Sequence, residues 1–201
     1  MRPKVILFDL GDVVCRFHPQ RRLATLAAAC GVSPEQAERT LYDSGLVDRW
    51  DLGLASPAEI HATLREELGY PGDLPALHQV WCSAFETDPR MLALVDGLRP
   101  PHRTALLTNN DLLVMEALPE VLPEVASRFD ALLFSGLLMA AKPDSAAYHR
   151  ALDLVDCSPG EAVFIDDKPA NVAGAEAAGI TAIHFTGAEE LGAALEELLE
   201  R

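Results

Sequence analysis

The sequence has 201 residues, 49% of them hydrophobic, and a formal net charge of −15 at pH 7. This length and composition suit one globular domain, or one domain with a sizeable insertion, and argue against a disordered chain. Nucleic-acid binding is not expected, because the chain has no basic patch that could displace counterions.

The first predicted element is a buried strand over Lys4–Phe8, and acid follows it directly. Asp9 comes immediately after the apolar run, and Asp12 comes three residues later with Gly11 between them. An unpaired carboxylate is costly beside a buried strand. The order of these residues therefore raises the question of what the two aspartates do.

The long stretch between this strand and the next is predicted to be entirely helical. Ser33-Pro34 and Ser56-Pro57 each place a serine cap before a proline, with Gln or Glu at the third position of the helix. A further helix is predicted over Leu74–Phe85, and Asp88-Pro89 opens one that returns to the sheet. We therefore expect a small helical cap beside the sheet.

Four more strands are predicted towards the C-terminus: Thr104–Leu107, Ala131–Phe134, Ala162–Ile165 and Thr181–Phe185. Segments with helical periodicity separate them, which is typical of a parallel α/β sheet wrapped by helices. We therefore expect an α/β fold with a Rossmann-like parallel sheet core. The core is predicted to comprise residues 1–15 and 87–201, and the inserted α-helical cap residues 16–86.

Polar groups follow three of the predicted strands. Asp9 ends the first strand, Thr108 and Asn109 end the second, and Asp166 and Asp167 end the fourth. Each could be only a turn or helix-cap residue. In an open parallel sheet, however, ligands bind at the carboxyl ends of the strands, so these groups should meet at one edge.

A magnesium site would explain why three carboxylates gather there. Carboxylates at one site raise each other's pKa unless a cation lies among them. A small number of hard oxygen ligands suits Mg²⁺. Lys142, which stands with Pro143 just before a predicted helix start, could reach the same edge. The helix after Asp166-Asp167 is rich in small residues and could pack closely.

With these residues in this order, the chain resembles the haloacid dehalogenase superfamily hydrolases that carry a helical cap after the first motif. The motifs are Asp9-Leu10-Gly11-Asp12-Val13, Thr108-Asn109, Lys142-Pro143, and Asp166-Asp167 with Asn171. Within the superfamily, the chain resembles the glucose-1-phosphate phosphatase-like branch. The shared features are the Asp-Leu-Gly start of the first motif and a Gly-x-x-Ser stretch at Gly53 of the cap.

The resemblance implies a Mg²⁺-dependent phosphomonoester hydrolase for a small phosphorylated metabolite, such as a sugar phosphate. Asp9 would be the nucleophile and would form an aspartyl-phosphate intermediate. Lys142 would neutralise charge on the nucleophile and the phosphate, and Thr108 would hold phosphate oxygens. Mg²⁺ would be bound by Asp9, the backbone carbonyl of Gly11 and Asp166.

Further residues receive supporting roles from the same resemblance. Backbone N–H groups around Leu10 and Asn109 would bind the phosphate. Asp167 would hold Lys142 in place or bind a metal-coordinated water. A magnesium ion and one lysine would make the site locally positive on an acidic protein, which otherwise repels anions.

The first motif departs from the family pattern at Gly11. Phosphatases of the family usually carry an aspartate at this position, as the general acid for the leaving group. Asp12 lies one residue further on, where it either substitutes for that acid or caps the turn after the strand. Without an acid at Gly11, we expect a preference for substrates with good leaving groups.

Other functions remain open because of this missing acid. A 2-haloacid dehalogenase needs no proton for its leaving halide, although it also needs no metal. A non-catalytic relative could bind a phosphorylated ligand or a partner protein. A phosphomutase is disfavoured, because it relies on the missing acid–base residue.

The cap is expected to select the substrate. Arg49 and Trp50 are the main candidates, since a cation beside a flat aromatic could grip a sugar or a second anion. Basic residues at the entry of the cap are further candidates, although each could be a solvated surface charge: Arg16, His18, Arg21 and Arg22. Trp81 and Phe85, four residues apart, are predicted to belong to a helix core.

A cytoplasmic protein, monomeric or homodimeric, is expected from the remaining features. The sequence has no apolar run of membrane-spanning length and no charged-then-apolar leader. Its four cysteines are scattered without a CxxC pair, which favours reduced thiols over a disulfide frame or a zinc site.

Overall fold

The structure, a computed structural model, describes residues 3–200. Its strands are β1 (Val5–Phe8), β2 (Cys15–Phe17), β3 (Phe85–Thr87), β4 (Arg103–Thr108), β5 (Ala131–Phe134), β6 (Ala162–Asp166) and β7 (Thr181–His184). Its helices are α1 (Pro19–Cys30), α2 (Pro34–Glu38), α3 (Leu46–Asp51), α4 (Pro57–Leu68), α5 (Leu74–Cys82), α6 (Pro89–Leu98), α7 (Leu112–Val121), α8 (Pro123–Ala126), α9 (Ser135–Leu138), α10 (Ser145–Leu154), α11 (Pro169–Ala177) and α12 (Ala188–Glu200). A π-helical turn covers Arg39–Asp43, and a 3₁₀ turn covers Pro159–Glu161. Within residues 3–200, no helix has both the length and the apolarity needed to cross a bilayer.

The core is a five-stranded parallel sheet in the order β5-β4-β1-β6-β7, which confirms the predicted α/β fold. Strand β1 lies at the centre, where Leu7 is paired with Ala105 on one side and Phe164 on the other. Side chains of a strand alternate between the two faces of the sheet. Ile6 therefore packs into one hydrophobic cluster and Leu7 into another. Because both faces are buried, β1 is apolar at every position.

One of these clusters extends without interruption from the sheet into the helices between β2 and β3. It includes Ile6 and Phe8 of β1 together with Trp50 of α3 and Trp81 of α5. Helix α5 packs against α7, whose buried residues belong to the same cluster. The helical unit therefore shares a core with the sheet instead of resting on it as a separate body.

The helix starts predicted from serine and aspartate caps are confirmed. The Ser33 hydroxyl accepts a hydrogen bond from the Gln36 N–H, as expected for an N-cap. Ser56 and Glu59 form a reciprocal capping box at the start of α4. The Asp88 carboxylate accepts from the Arg90 N–H and caps α6.

The prediction that residues between the first two sheet strands are entirely helical is wrong at both ends. Strands β2 and β3 pair there in an antiparallel ribbon, with Phe17 opposite Phe85. The helix predicted to reach Phe85 ends at Cys82. A three-residue strand is too short to show a periodicity, and its partner lies far away in the sequence. The division of the chain into a cap of residues 16–86 and a core stays a prediction. Both predicted boundaries fall within the strands of the ribbon.

Candidate active site

The carboxyl ends of β1, β4 and β6 enclose a small polar cavity of about 80 Å³. Asp9 follows β1, Thr108 ends β4, and both line this cavity together with Lys142. Asp166 ends β6 and is completely buried beside them. On one side of β1 the sheet continues with β4 and β5, and on the other side with β6 and β7. The strand order therefore reverses at β1, and parallel sheets bind ligands at such a switch point.

Lys142 is held at the centre of this group by three acceptors. Its Nζ donates to the Leu107 carbonyl at 2.8 Å and to Asp166 Oδ2 at 2.6 Å, and it lies 3.0 Å from Asp9 Oδ1. The side chain is almost fully buried. All three ammonium protons are therefore used, and the lysine is fixed in one position between the two carboxylates.

The loop that carries Lys142 is tied to two neighbouring elements. The Asn109 side chain accepts from the Lys142 N–H at 2.9 Å and donates to the Lys142 carbonyl at 2.8 Å. On the other side, Gly174 of α11 lies so close that a Cβ there would be 2.7 Å from the Pro143 carbonyl oxygen. The small residues of α11 thus permit the close packing expected from the sequence.

Asp9 presents one carboxylate oxygen to the protein, and the other makes no hydrogen bond with any part of residues 3–200. Its Oδ1 accepts from the Leu10 N–H at 2.8 Å and lies within ion-pair distance of Lys142. Burial raises the pKa of the Asp9 carboxyl, Lys142 opposes that shift, and Asp166 adds to it. Asp9 thus needs nearby positive charge to stay ionised.

Three carboxylates lie close enough to share a cation. Asp9, Asp166 and Asp167 each offer one oxygen, and these oxygens lie within 4.8 Å of one another. Asp167 Oδ1 is buried and has no hydrogen-bond partner within residues 3–200. Burial raises the pKa of the Asp167 carboxyl, and repulsion from Asp9 and Asp166 raises it further. The donor set therefore fits a hard divalent cation.

Asn171 orients the most buried of these carboxylates. Its Nδ2 donates to Asp166 Oδ1 at 2.9 Å and to Oδ2 at 3.0 Å. The N–H of Lys168 donates to the same Oδ1 at 2.8 Å. Together with Lys142, these donors fix both oxygens of Asp166.

Thr108 and the two asparagines after it form the opposite wall. The Thr108 hydroxyl accepts from Asn110 Nδ2 at 2.8 Å, so its own proton remains free to donate to a ligand. Asn109, Asn110 and Lys168 also line the cavity. Asn110 and Lys168 were not predicted as site residues, although both continue the polar runs that end β4 and β6.

The turn after β1 shows what Gly11 and Asp12 do locally. Asp12 has a left-handed backbone, with φ of 59°. Its Oδ1 accepts from the Phe17 N–H at 2.9 Å, which is the contact expected of a residue that caps the turn. Gly11 does not have a positive φ, and a Cβ there would lie 3.4 Å from the Phe17 Cβ, an ordinary contact. A β-carbon at position 11 would therefore fit.

Two phenylalanines from the ribbon close the cavity on the cap side. The rings of Phe17 and Phe85 lie 5.3 Å apart, and both line the cavity. Phe85 is part of the core as predicted, but it lies in a strand and not in a helix, and it also lines the cavity. No local signal in the sequence could have identified this pair, because the two residues meet only through the β2–β3 ribbon.

The predicted substrate residues of the cap lie elsewhere. Trp50 is buried and its ring is 5.9 Å from that of Trp81, which is core as predicted. Arg49 is exposed to solvent. Neither Arg49 nor Trp50 lines the cavity. Arg22 is buried, with its guanidinium 4.7 Å from the Trp81 ring, so it is not a solvated surface charge.

Comparison with known proteins gives a consistent family. The sequence pattern of the haloacid dehalogenase-like hydrolases matches residues 3–179. A sesquiterpene phosphatase of Aspergillus oryzae is 26% identical over 185 residues, which cover 91% of this chain and 90% of that protein.

Solved structures with the same fold include two bacterial proteins. A predicted haloacid dehalogenase-like hydrolase of Porphyromonas gingivalis aligns with a TM-score of 0.80 at 26% identity, covering 100% of both chains. A family enzyme of Bacteroides thetaiotaomicron, solved with magnesium and inorganic phosphate, aligns with a TM-score of 0.77 at 23% identity. That alignment covers 92% of this chain and 94% of the other.

Proposed function

The chain belongs to the haloacid dehalogenase-like hydrolases, and from this premise we propose that it is a Mg²⁺-dependent phosphomonoester hydrolase. Its substrate would be a small phosphorylated metabolite. The observation that carries the proposal is the arrangement of Asp9, Asp166 and Asp167 around Lys142 at the carboxyl edge of the sheet. A relative named as a phosphatase and a fold neighbour solved with magnesium and phosphate support it.

The charge of the site supports a divalent cation. When ionised, Asp9, Asp166 and Asp167 carry three negative charges, which the two ammonium groups that line the cavity, Lys142 and Lys168, do not balance. Asp9, Asp166 and the carbonyl of Gly11 would hold Mg²⁺, with Asp167 beside them. When bound, the ion would supply the positive charge that offsets repulsion between the carboxylates and the phosphate.

The residues around Asp9 fit nucleophilic attack on phosphorus. Because Leu10 and Lys142 both engage Oδ1, the Oδ2 atom is the oxygen that can attack. Attack would form an aspartyl phosphate, which is a mixed anhydride, on Asp9, while the bond from phosphorus to the ester oxygen breaks and the alkoxide or phenolate leaves with the electron pair. The Thr108 hydroxyl proton and the Lys142 ammonium would stabilise charge on the phosphoryl oxygens.

The size and lining of the cavity favour a small, polar substrate. About 80 Å³ leaves room for a phosphate and little more in this conformation. Asn110 and Lys168 offer polar groups beside it, while Phe17 and Phe85 offer flat apolar faces. A sugar phosphate combines these requirements, since its hydroxyls can bind amides and its ring can pack on an aromatic face.

The alternatives predict different behaviour. In a 2-haloacid dehalogenase, displacement of halide needs no cation. The grouping of Asp166 with the buried Oδ1 of Asp167 would then have no role in the reaction. A non-catalytic relative would not require Lys142 to be fixed between Asp9 and Asp166. Incubation with 2-chloropropionate and release of chloride would identify the first alternative.

An activity assay tests the proposal directly. We expect purified protein to hydrolyse p-nitrophenyl phosphate with Mg²⁺ and to lose this activity in excess chelator. Asp9→Asn should abolish turnover, because the amide is not a nucleophile, whereas Asp43→Asn on the exposed π-helical turn should match the wild type. Circular dichroism would check that both variants fold. Full activity in Asp9→Asn would refute the proposed mechanism.

Calorimetric titration with Mg²⁺ gives a readout that is independent of turnover. Asp166→Asn should weaken magnesium binding, while Asp43→Asn again serves as the control. Equal magnesium affinity in the wild type and Asp166→Asn would place the ion elsewhere.

A further inference from the structure

Lys168 stands at the rim of the cavity on a rigid part of the chain. It follows Asp166 and Asp167 at the end of β6, and its own N–H donates to Asp166 Oδ1 at 2.8 Å. Pro169, whose ring restricts φ, begins α11 directly afterwards. The Lys168 side chain is exposed to solvent and lines the cavity. A backbone fixed on both sides therefore holds an ammonium group at the edge of the site.

Lys168 is the one lysine that has no ion-pair or side-chain hydrogen-bond partner within residues 3–200. The sequence has three lysines. Lys4 forms an ion pair with Glu161 at 2.7 Å. Lys142 uses all three of its ammonium protons at the centre of the site. The Lys168 ammonium is therefore the lysine group that is free to bind a ligand.

The other donors of the cavity are committed to the protein or to the phosphate. Thr108 and Lys142 are the side chains proposed to stabilise the phosphoryl oxygens. Each asparagine on the cavity wall directs its amide nitrogen to an acceptor of the protein, and these residues are Asn109, Asn110 and Asn171. Lys168 is thus a cation beyond those that the phosphate and the wall of the cavity require.

The geometry of phosphoryl transfer decides which part of a substrate would lie near Lys168. The attacking and leaving oxygens lie roughly in line through phosphorus. Asp9 would attack from the carboxyl edge of the sheet, so the leaving group extends away from the sheet, towards Phe17 and Phe85 on the cap side. The charge of Lys168 also reaches that side. Burial raises the pKa of the Asp51 carboxyl in α3 to about 8, and Lys168 is among the groups that oppose this rise.

We propose that Lys168 is a specificity-determining residue that binds a carboxylate on the leaving-group part of the substrate. The substrate would then be a phosphorylated hydroxy acid. This inference rests on the proposed phosphatase function and names the substrate class of the same site. One ammonium group matches the single charge of a carboxylate, whereas a second phosphate would carry up to about two charges and more acceptor oxygens. On a chain with a net charge of −15, an unpaired cation at the site also offsets the long-range repulsion of such a substrate.

Two matched phosphates, 3-phosphoglycerate and glycerol 3-phosphate, test the proposal. Both are esters of a primary alcohol, and they differ by a carboxylate in place of a hydroxymethyl group, so the absence of an acid at Gly11 affects both equally. Each is measured as a competitive inhibitor of p-nitrophenyl phosphate hydrolysis in Mg²⁺, which reports binding however slowly the inhibitor itself turns over. We expect the inhibition constant of 3-phosphoglycerate to be lower by about tenfold, as is typical for a hydrogen bond between charged groups.

The ratio of the two inhibition constants separates this role from a general effect of substitution. Lys168→Met keeps an unbranched apolar side chain but removes the charge, and it should bring the ratio to about one. Lys168→Arg should retain a ratio of about threefold or more, because it keeps a cation. Lys4→Met is the matched control and should keep the wild-type ratio, since Lys4 precedes β1 at the opposite end of the sheet.

Reductive methylation of the lysines gives a readout that does not depend on turnover. In Mg²⁺, 3-phosphoglycerate should slow the methylation of Lys168 more than glycerol 3-phosphate does, because only the former engages the ammonium. Lys4, which is distant from the site, should be methylated at the same rate with either compound. Mass spectrometry of proteolytic peptides would follow both residues. Equal protection of Lys168 by the two compounds would overturn the inference.

The outcomes distinguish failure of this inference from failure of the phosphatase proposal. A wild type that does not hydrolyse p-nitrophenyl phosphate in Mg²⁺ overturns the phosphatase proposal, and this inference with it. An active wild type whose two inhibition constants differ by less than about threefold overturns only the role of Lys168. A wild-type ratio in Lys168→Met does the same, and if both inhibitors then bind more weakly, Lys168 contacts the phosphate and not a second anionic group.

Discussion

Asp12 adopts a conformation that few residues tolerate, and its side chain stabilises that conformation locally. The left-handed region costs an L-residue about 1–2 kcal/mol, and Asp and Asn are the side chains best suited to it. We expect Asp12→Ala to lower the free energy of unfolding by about 1–2 kcal/mol, because it also loses the bond to the Phe17 N–H. Asp12→Asn, whose amide oxygen can accept the same bond, should remain near the wild type. Urea denaturation would measure both.

The same pair of variants tests the alternative role of Asp12. A sharp loss of glycerol phosphate turnover in Asp12→Asn, with unchanged stability, would make Asp12 the displaced acid. That result would contradict the turn-cap interpretation.

At the scale of elements, the contact between α3 and α9 depends on Gly53. Gly45 and Gly53 both have φ of 74°, but a Cβ at Gly45 would meet nothing within 4 Å, whereas one at Gly53 would collide with the Gly136 carbonyl. Gly45→Ala should therefore cost only the left-handed penalty of about 1–2 kcal/mol. Gly53→Ala should cost at least twice as much, because α3 must also move away from α9. Melting curves of the two variants would measure the difference.

Displacement of α3 should also disturb Gly136, whose N–H donates to the carbonyl of Asn110 beside the cavity. Gly53→Ala should therefore lose phosphatase activity, whereas Gly45→Ala should keep it. Equal melting temperatures for the two variants would mean that the loop can relax without moving α3.

For the whole molecule, the shared hydrophobic cluster predicts cooperative unfolding. The two tryptophans of the chain, Trp50 and Trp81, both lie in the helical unit and pack against each other. Their fluorescence therefore reports this unit, whereas far-UV circular dichroism reports the entire chain. Because Ile6 and Phe8 belong to the same cluster as these tryptophans, we expect the two signals to change at one urea concentration. Loss of fluorescence at a lower urea concentration would show that the helical unit unfolds independently.

Local patterns in the sequence were enough to predict the sheet and most of the polar residues at its carboxyl edge. A continuous apolar run marks β1 because both faces of its sheet are buried. Asp9, Thr108 and Asp166 could be predicted as edge residues because each stands where such an apolar run ends. Caps such as Ser56 depend only on hydrogen bonds within one turn of chain, so they too were predicted correctly. Family resemblance supplied the roles of these residues, since spacing alone left turn-capping as an alternative.

The cap side of the site was decided only by tertiary structure. Phe17 and Phe85 meet through a ribbon whose strands are distant in sequence and too short to carry a periodicity. A tryptophan such as Trp50 can bind a substrate through its ring and N–H or pack in a hydrophobic core. Its contact with Trp81 in the folded protein places it in the core. The raised pKa of the Asp51 carboxyl comes from desolvation and from repulsion by Asp111, which chain folding brings near it. Such properties arise from burial and from long-range contacts, which no local stretch of sequence encodes by itself.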